Sequence, residues 1–203
     1  VLARLAVWAA ALVVTGLPAT AQQAATAFDL AQLTQLLSQV KSGEASFTEK
    51  RTVSLLDRTL ESSGRLSFAA PDSFVRETLK PRQDKVAVVG NSVTLSAGGR
   101  SRTVPLDSVP EAAIIVDAIR GTLTGNRALL ERHFVSTVSG TAQRWSLELV
   151  PIEPRLRELA QSVQLVGQQS LVREVTVTMA DGDRSVMSIE PMAAASNPAS
   201  APN

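Results

Sequence analysis

The 203 residues hold 20 Lys+Arg against 19 Asp+Glu, one His and no Cys. That length suits a single domain with a sizeable core, the near-neutral balance offers no basic field for nucleic acid, and zero Cys excludes disulfides, thiolate metal sites and Cys nucleophiles. A lone His excludes a multi-His metal site within one chain, and 44% apolar residues with only 3% aromatics and no Tyr imply an aliphatic core without stacking platforms for single-stranded nucleic acid.

At the N-terminus, Arg4 precedes an uncharged run from Leu5 to Leu17, and Pro18-Ala19-Thr20-Ala21 follows with small residues at 19 and 21. A positive start, a short apolar run and an A-x-A ending make a secretory signal peptide over residues 1–21, too short for a comfortable span of about 20 apolar residues. Cleavage after Ala21 would leave Gln22 first. It would also remove Arg4, the one charge in that segment, leaving 19 basic against 19 acidic residues. At the other end, PMAAASNPASAPN from Pro191 is Ala, Pro, Ser and Asn without periodicity and reads as a disordered tail over 191–203. The domain proper is expected within residues 22–190.

Asp29 to Val40 places Leu30, Leu33, Leu36, Leu37 and Val40 at helical spacing, with Asp29 and Gln32 set as a cap and its N3 partner and Gly43 as the stop. From Ala45 to Leu106 the period changes to two. Leu66 and Phe68, Val86 and Val88, and Val93 and Leu95 alternate with polar residues between Gly/Asn turns, which predicts about six strands of an antiparallel meander. Ser108 and Glu111 have capping-box spacing, with Pro110 in the first turn. Ala112, Ile115, Val116, Ile119 and Leu123 follow as one apolar stripe. Gly125-Asn126 breaks this helix, and Asn126 can cap a short second one over Arg127–Arg132. Strands resume at His133–Ser139 and Arg144–Val150. Leu156 to Gly167 reads as a helical turn and then a strand. Val172–Met179 and Arg184–Ile189 flank an Asp181-Gly182 hairpin turn. The sum is about eleven strands and two or three helices, an α+β fold on a large antiparallel sheet.

Residues that could carry catalysis are scarce. His133 could serve as a general base or pH switch, as in a hydrolase, but a strand-edge residue beside Phe134 explains it as simply. Asp181-Gly182-Asp183 lacks the further acidic ligands of a calcium loop and fits a turn. Glu153, Arg155, Arg157 and Glu158 read as solvated surface charge, as does Lys50-Arg51. Gly90, Gly98 and Gly99 lie in hairpin turns rather than at a strand-to-helix phosphate loop. No catalytic residue, metal or cofactor is expected. Trp145 alternates with Leu147 and Leu149, which places it either in the core or on an apolar cavity wall. A large antiparallel sheet curls, and a helix across its mouth would enclose space with aliphatic walls suited to fatty chains; a filled core is the other solution.

Ala45-Ser46-Phe47-Thr48-Glu49-Lys50, Gly64-Arg65-Leu66-Ser67-Phe68-Ala69-Ala70-Pro71, Val88-Val89-Gly90-Asn91 and Trp145-Ser146-Leu147-Glu148-Leu149-Val150-Pro151 occur in that order after a helix. This succession resembles a divergent branch of the periplasmic outer-membrane lipoprotein carriers, the LolA-like proteins. The general carrier often has Arg before the proline, where this chain has Ala70. The resemblance implies an unclosed antiparallel β-barrel with an α-helical lid, no enzymatic activity, and a cargo of lipoprotein or of another lipid such as a polyene or glycolipid product. It implies an inner-membrane exporter and an outer-membrane acceptor as partners, with the protein acting in the periplasm as a monomer. The alternative is a lipid-sensing interaction domain of an envelope-stress or export system. Alternation nominates Phe47, Leu66, Phe68, Val88, Leu95, Trp145, Leu147 and Leu149 as cavity wall, and Ile115 and Ile119 as lid.

Overall fold

The computed structural model describes residues 28–56 and 58–192; the expected signal peptide and residues 193–203 of the expected tail lie outside them, whereas the first two residues of that tail belong to the fold, Pro191 ending the last strand and the Met192 amide donating to the Glu44 carbonyl at 2.8 Å. Among the described residues eleven strands form one antiparallel sheet: β1 (Ser42–Val53), β2 (Arg58–Ala69), β3 (Ser73–Lys80), β4 (Asp84–Val89), β5 (Ser92–Ala97), β6 (Arg100–Pro105), β7 (Phe134–Thr141), β8 (Arg144–Pro151), β9 (Ala160–Gln168), β10 (Leu171–Met179) and β11 (Arg184–Pro191). Among the described residues four α-helices accompany it: α1 (Leu30–Leu37), α2 (Pro110–Thr124), α3 (Arg127–His133) and α4 (Pro154–Arg157). The expected α+β class and unclosed barrel are both present.

Strand order explains the open shape. The sheet runs β6-β5-β4-β3-β2-β1-β11-β10-β9-β8-β7. The chain therefore starts in the middle, steps outward by hairpins to the β6 edge, crosses to the far edge β7, and steps back until β11 pairs with β1. The two edges do not pair. The segment joining them carries α2 and α3, and α2 packs on the face of the sheet.

Helix α1 begins as its sequence dictates. Asp29 accepts from the Gln32 amide at 2.9 Å while the Gln32 side chain accepts from the Asp29 amide at 3.2 Å, satisfying two of the free amides at the helix start. It ends at Leu37, and Gly43 lies inside β1 rather than at a helix stop. The expected Ser108–Glu111 box does not form. The Ser108 hydroxyl donates instead to the Pro105 carbonyl at 2.6 Å within a 3₁₀ turn over Leu106–Ser108, and α2 starts one residue later at Pro110. Asn126 does cap α3, accepting from the Leu129 amide at 3.0 Å.

The deepest face of α2 is Ile114, Ala118, Gly121 and Thr122, whereas the predicted stripe of Ala112, Ile115, Val116, Ile119 and Leu123 is half-buried. The correction follows from packing on two sides: α2 lies on the sheet and also against α1 and α3. Small residues permit that approach. A Cβ on Gly125 would fall 2.3 Å from the Thr34 carbonyl oxygen of α1, and its φ of +65° suits glycine at a helix end.

Candidate functional site

The sheet face beneath the helices is set by register. Phe68, Phe74, Val88, Val93 and Val104 form one cross-strand row over β2–β6, and Leu66, Arg76, Val86, Leu95 and Arg102 form the next. On the other half, Leu147, Leu165 and Val175 align across β8–β10 and continue through Met187 of β11 to Glu49 of β1, two residues from Phe47. Because side chains alternate, all eight wall candidates share this single face.

They do not share one environment. Trp145, Leu147 and Leu149 are fully buried in a cluster with Leu33 and Leu37 of α1, Ile114 and Ala118 of α2, and Leu130 of α3. This half is a filled core, and Trp145 is core. Its Nε1 donates to the Gln169 carbonyl at 2.8 Å, and its ring occupies the space a side chain on Gly167 would need. Val88 lies in a second buried cluster with Val93 and Leu106, against which Ala112, Ala113 and Val116 of α2 pack. Phe47 is buried as well. Leu66 and Phe68 are half-buried, with Phe68 stacked on Phe74 at 5.2 Å, and Leu95 is 44% exposed. Helix α2 thus bridges two apolar patches, and the cover thins toward Leu95. Of the lid candidates, Ile115 packs against the larger cluster and Ile119 is half-buried.

A polar band crosses the floor. The Glu49 carboxylate accepts from Ser62 at 3.0 Å, from Arg76 and from Ser185, and the Arg76 guanidinium lies 4.8 Å from the Phe47 ring centroid. Sequence reasoning passed over this network, although the alternation that placed Phe47 inward places Glu49 inward too. It also passed over Arg120 of α2, whose Nη2 donates to the Gly90 carbonyl in the β4–β5 turn at 2.6 Å and whose Nη1 lies 3.5 Å from Asp117. Burial raises the Asp117 pKa above its ordinary value, and the neighbouring His133 and Arg120 partly offset the rise. His133 closes α3 edge-on to Phe134.

Other polar groups have structural partners. The Asp183 carboxylate accepts from Arg51 at 2.9 Å and from the Ser54 amide at 3.0 Å, so the β10–β11 turn pins the β1–β2 turn rather than presenting a calcium ligand. These hydrogen bonds hold the Asp183 carboxyl below its usual range. A cleft of about 480 Å³ opens on the opposite face of the sheet, lined by Ser46, Thr48, Ser63, Arg65, Ser188 and Glu190 among others. Hydroxyls and charges make up six of its ten lining residues, a poorer match for a fatty chain than the helix-covered face.

A family model described as outer membrane lipoprotein carrier protein LolA-like matches residues 21–202. The chain belongs to that LolA-like family. Members of the family are carriers or binding proteins rather than enzymes, and typically periplasmic. Among curated proteins none matches. Solved structures similar to it include a LolA superfamily protein from Nitrosomonas europaea, 11% identical, with a TM-score of 0.41 over 78% of this chain and 90% of that one. A putative outer membrane lipoprotein-sorting protein domain from Vibrio parahaemolyticus is 9% identical, with a TM-score of 0.42 over 80% and 89%. The MucA/MucB complex of Pseudomonas aeruginosa gives 13% and 0.42, over 81% of this chain and 56% of that one.

Proposed function

We propose that this LolA-like chain is a periplasmic carrier, exported by its N-terminal signal, that shields the acyl chains of a lipoprotein or lipid on the helix-covered face and moves them from the inner toward the outer membrane. The observation behind this reading is α2 itself, one helix laid over two apolar patches and joining the unpaired edges of the sheet. Displacing it would merge both patches with the half-buried Leu66 and Phe68 into one apolar trough. Phe47, Val88 and Leu95 would share its floor.

Magnitudes favour such an exchange. Uncovering Ile114, the largest buried apolar side chain of α2, costs on the order of 2–3 kcal/mol, and the half-buried Ile115 and Val116 add about 1 kcal/mol each. Sheltering a dozen acyl methylenes at about 0.8 kcal/mol each returns on the order of 10 kcal/mol. An acyl chain can therefore replace the helix against the sheet. Ile115→Asp tests the lid: with α2 lying over a bound chain, a charge at 115 faces hydrocarbon in the loaded state and should weaken uptake of a fluorescent acyl probe about tenfold or more while circular dichroism stays native. Unchanged probe affinity in the folded variant would remove the lid assignment.

A further inference from the structure

Overall charge is nearly balanced, yet one end of the sheet is not. Lys80 and Arg82 lie at the β3–β4 turn, Arg100 opens β6, and Lys85 and Arg102 follow one and two residues inside the strand ends. Register brings these positions together, since Asp84 pairs with Ala97 and Ala97 with Arg100. All five cations are exposed, and among the described residues none of them forms an ion pair. On β3 and β4 the carboxylates at this end are Glu77 and Asp84; at the neighbouring β1–β2 and β10–β11 turns Glu61 pairs with Lys50, Asp183 pairs with Arg51, and Asp181 is exposed.

Exposed leucines lie beside these cations. Leu79 and Leu95 are over a third exposed, and the neighbouring β1–β2 hairpin presents Leu60 and, at its turn, Leu55 at 95% exposure. β2 pairs with β3 only as far as Ser63, so the hairpin tip projects beyond β3. It is not a frayed tip: Asp183 holds Ser54 and Arg51, so Leu55 projects from an anchored turn. Helix α2 is tied by Arg120 to the β4–β5 turn at the opposite end. Along β5, burial falls from Val93 beneath α2 to Leu95 in solvent, so the helix-covered face opens at this same cationic end.

Apolar side chains on fixed turns, with exposed unpaired cations on the neighbouring turns, complement a surface of anionic headgroups over hydrocarbon. We propose that this end docks on an anionic phospholipid bilayer, with Leu55 entering the headgroup boundary and Lys80, Arg82, Lys85, Arg100 and Arg102 facing lipid phosphates. Docked so, the open end of the trough faces the membrane. The inference stands on charge and exposure and does not require the acyl-carrier reading.

The test is cosedimentation of the full chain with phosphatidylcholine vesicles, with and without phosphatidylglycerol. Binding should be at least tenfold tighter to the anionic vesicles and should fall steeply with salt. Lys80→Glu/Arg82→Glu/Lys85→Glu should lose at least tenfold, and Leu55→Ser should lose severalfold even where salt has screened the charges. Uptake of an acyl probe from solution should be unaltered in these variants, which separates docking from cargo binding. Absence of vesicle binding, equal binding to neutral vesicles, or a triple variant that still binds would overturn the proposal.

Discussion

Arg120 ties α2 to the sheet through its donation to the Gly90 carbonyl at 2.6 Å, beside Asp117. If α2 is the lid, opening must break this contact. A hydrogen bond with one charged partner contributes about 1.5–3 kcal/mol, so Arg120→Met should favour the open arrangement by about 10- to 150-fold. Apparent affinity scales with the fraction of molecules competent to bind, so an acyl probe should bind more tightly by up to that factor. The matched assay is fluorescence titration with the probe, together with hydrogen exchange of the α2 amides. Faster α2 exchange with tighter probe binding is expected, opposite in sign to Ile115→Asp. A folded Arg120→Met variant whose α2 exchanges faster without a gain in probe affinity would refute the coupling of helix release to binding.

Two further outcomes follow from the packing. Gly167→Ala places a methyl 2.2 Å from the Trp145 ring and 2.5 Å from the Leu171 carbonyl oxygen; it should lower stability by about 3 kcal/mol, read from the denaturant midpoint, and a wild-type midpoint would contradict the filled core at Trp145. Asp183 has a lowered pKa in the folded chain, so its contribution is present above the ordinary carboxylate value of 3.8 and is lost as pH falls through the lower folded value. Asp183→Asn should therefore melt lower than wild type at neutral pH, with the difference shrinking in acid, and a gap that persists unchanged below the folded value would argue against an ionised carboxylate pinning the two turns.

Where local chemistry decides, the residues were legible in the sequence. Alternation from Ala45 onward predicts the strands, since a sheet buried on one face imposes period two. Asp29 with Gln32 and Asn126 before Arg127 mark helix starts that form as expected. Ser108 with Glu111 has equally good spacing and fails, because the Ser108 hydroxyl is taken by the Pro105 carbonyl in the preceding turn. The α2 stripe was misplaced for a related reason. Periodicity finds the most apolar face, but a helix wedged between a sheet and two helices buries small residues deepest, and Ala118 and Gly121 have no strong apolar signature. The wall candidates fell on one face because parity is local. Which of them lie under α2 and which near solvent depends on where the β6-to-β7 crossover comes to rest, and nothing in the strands themselves encodes that. The Glu49–Arg76 band was visible as parity but not as contact, since Ser62, Arg76 and Ser185 come from three different strands.

Acyl chains taking the place of α2 against the sheet should be visible as bound mass, so native mass spectrometry of the protein recovered from the periplasm is the decisive measurement. The predicted result is a mature chain beginning at Gln22 with an added mass that dissociates as an acylated species, and that is reduced in Ile115→Asp. A protein that is homogeneously free of lipid as isolated, and that stays so after incubation with acylated lipoprotein or lipid, would contradict the account.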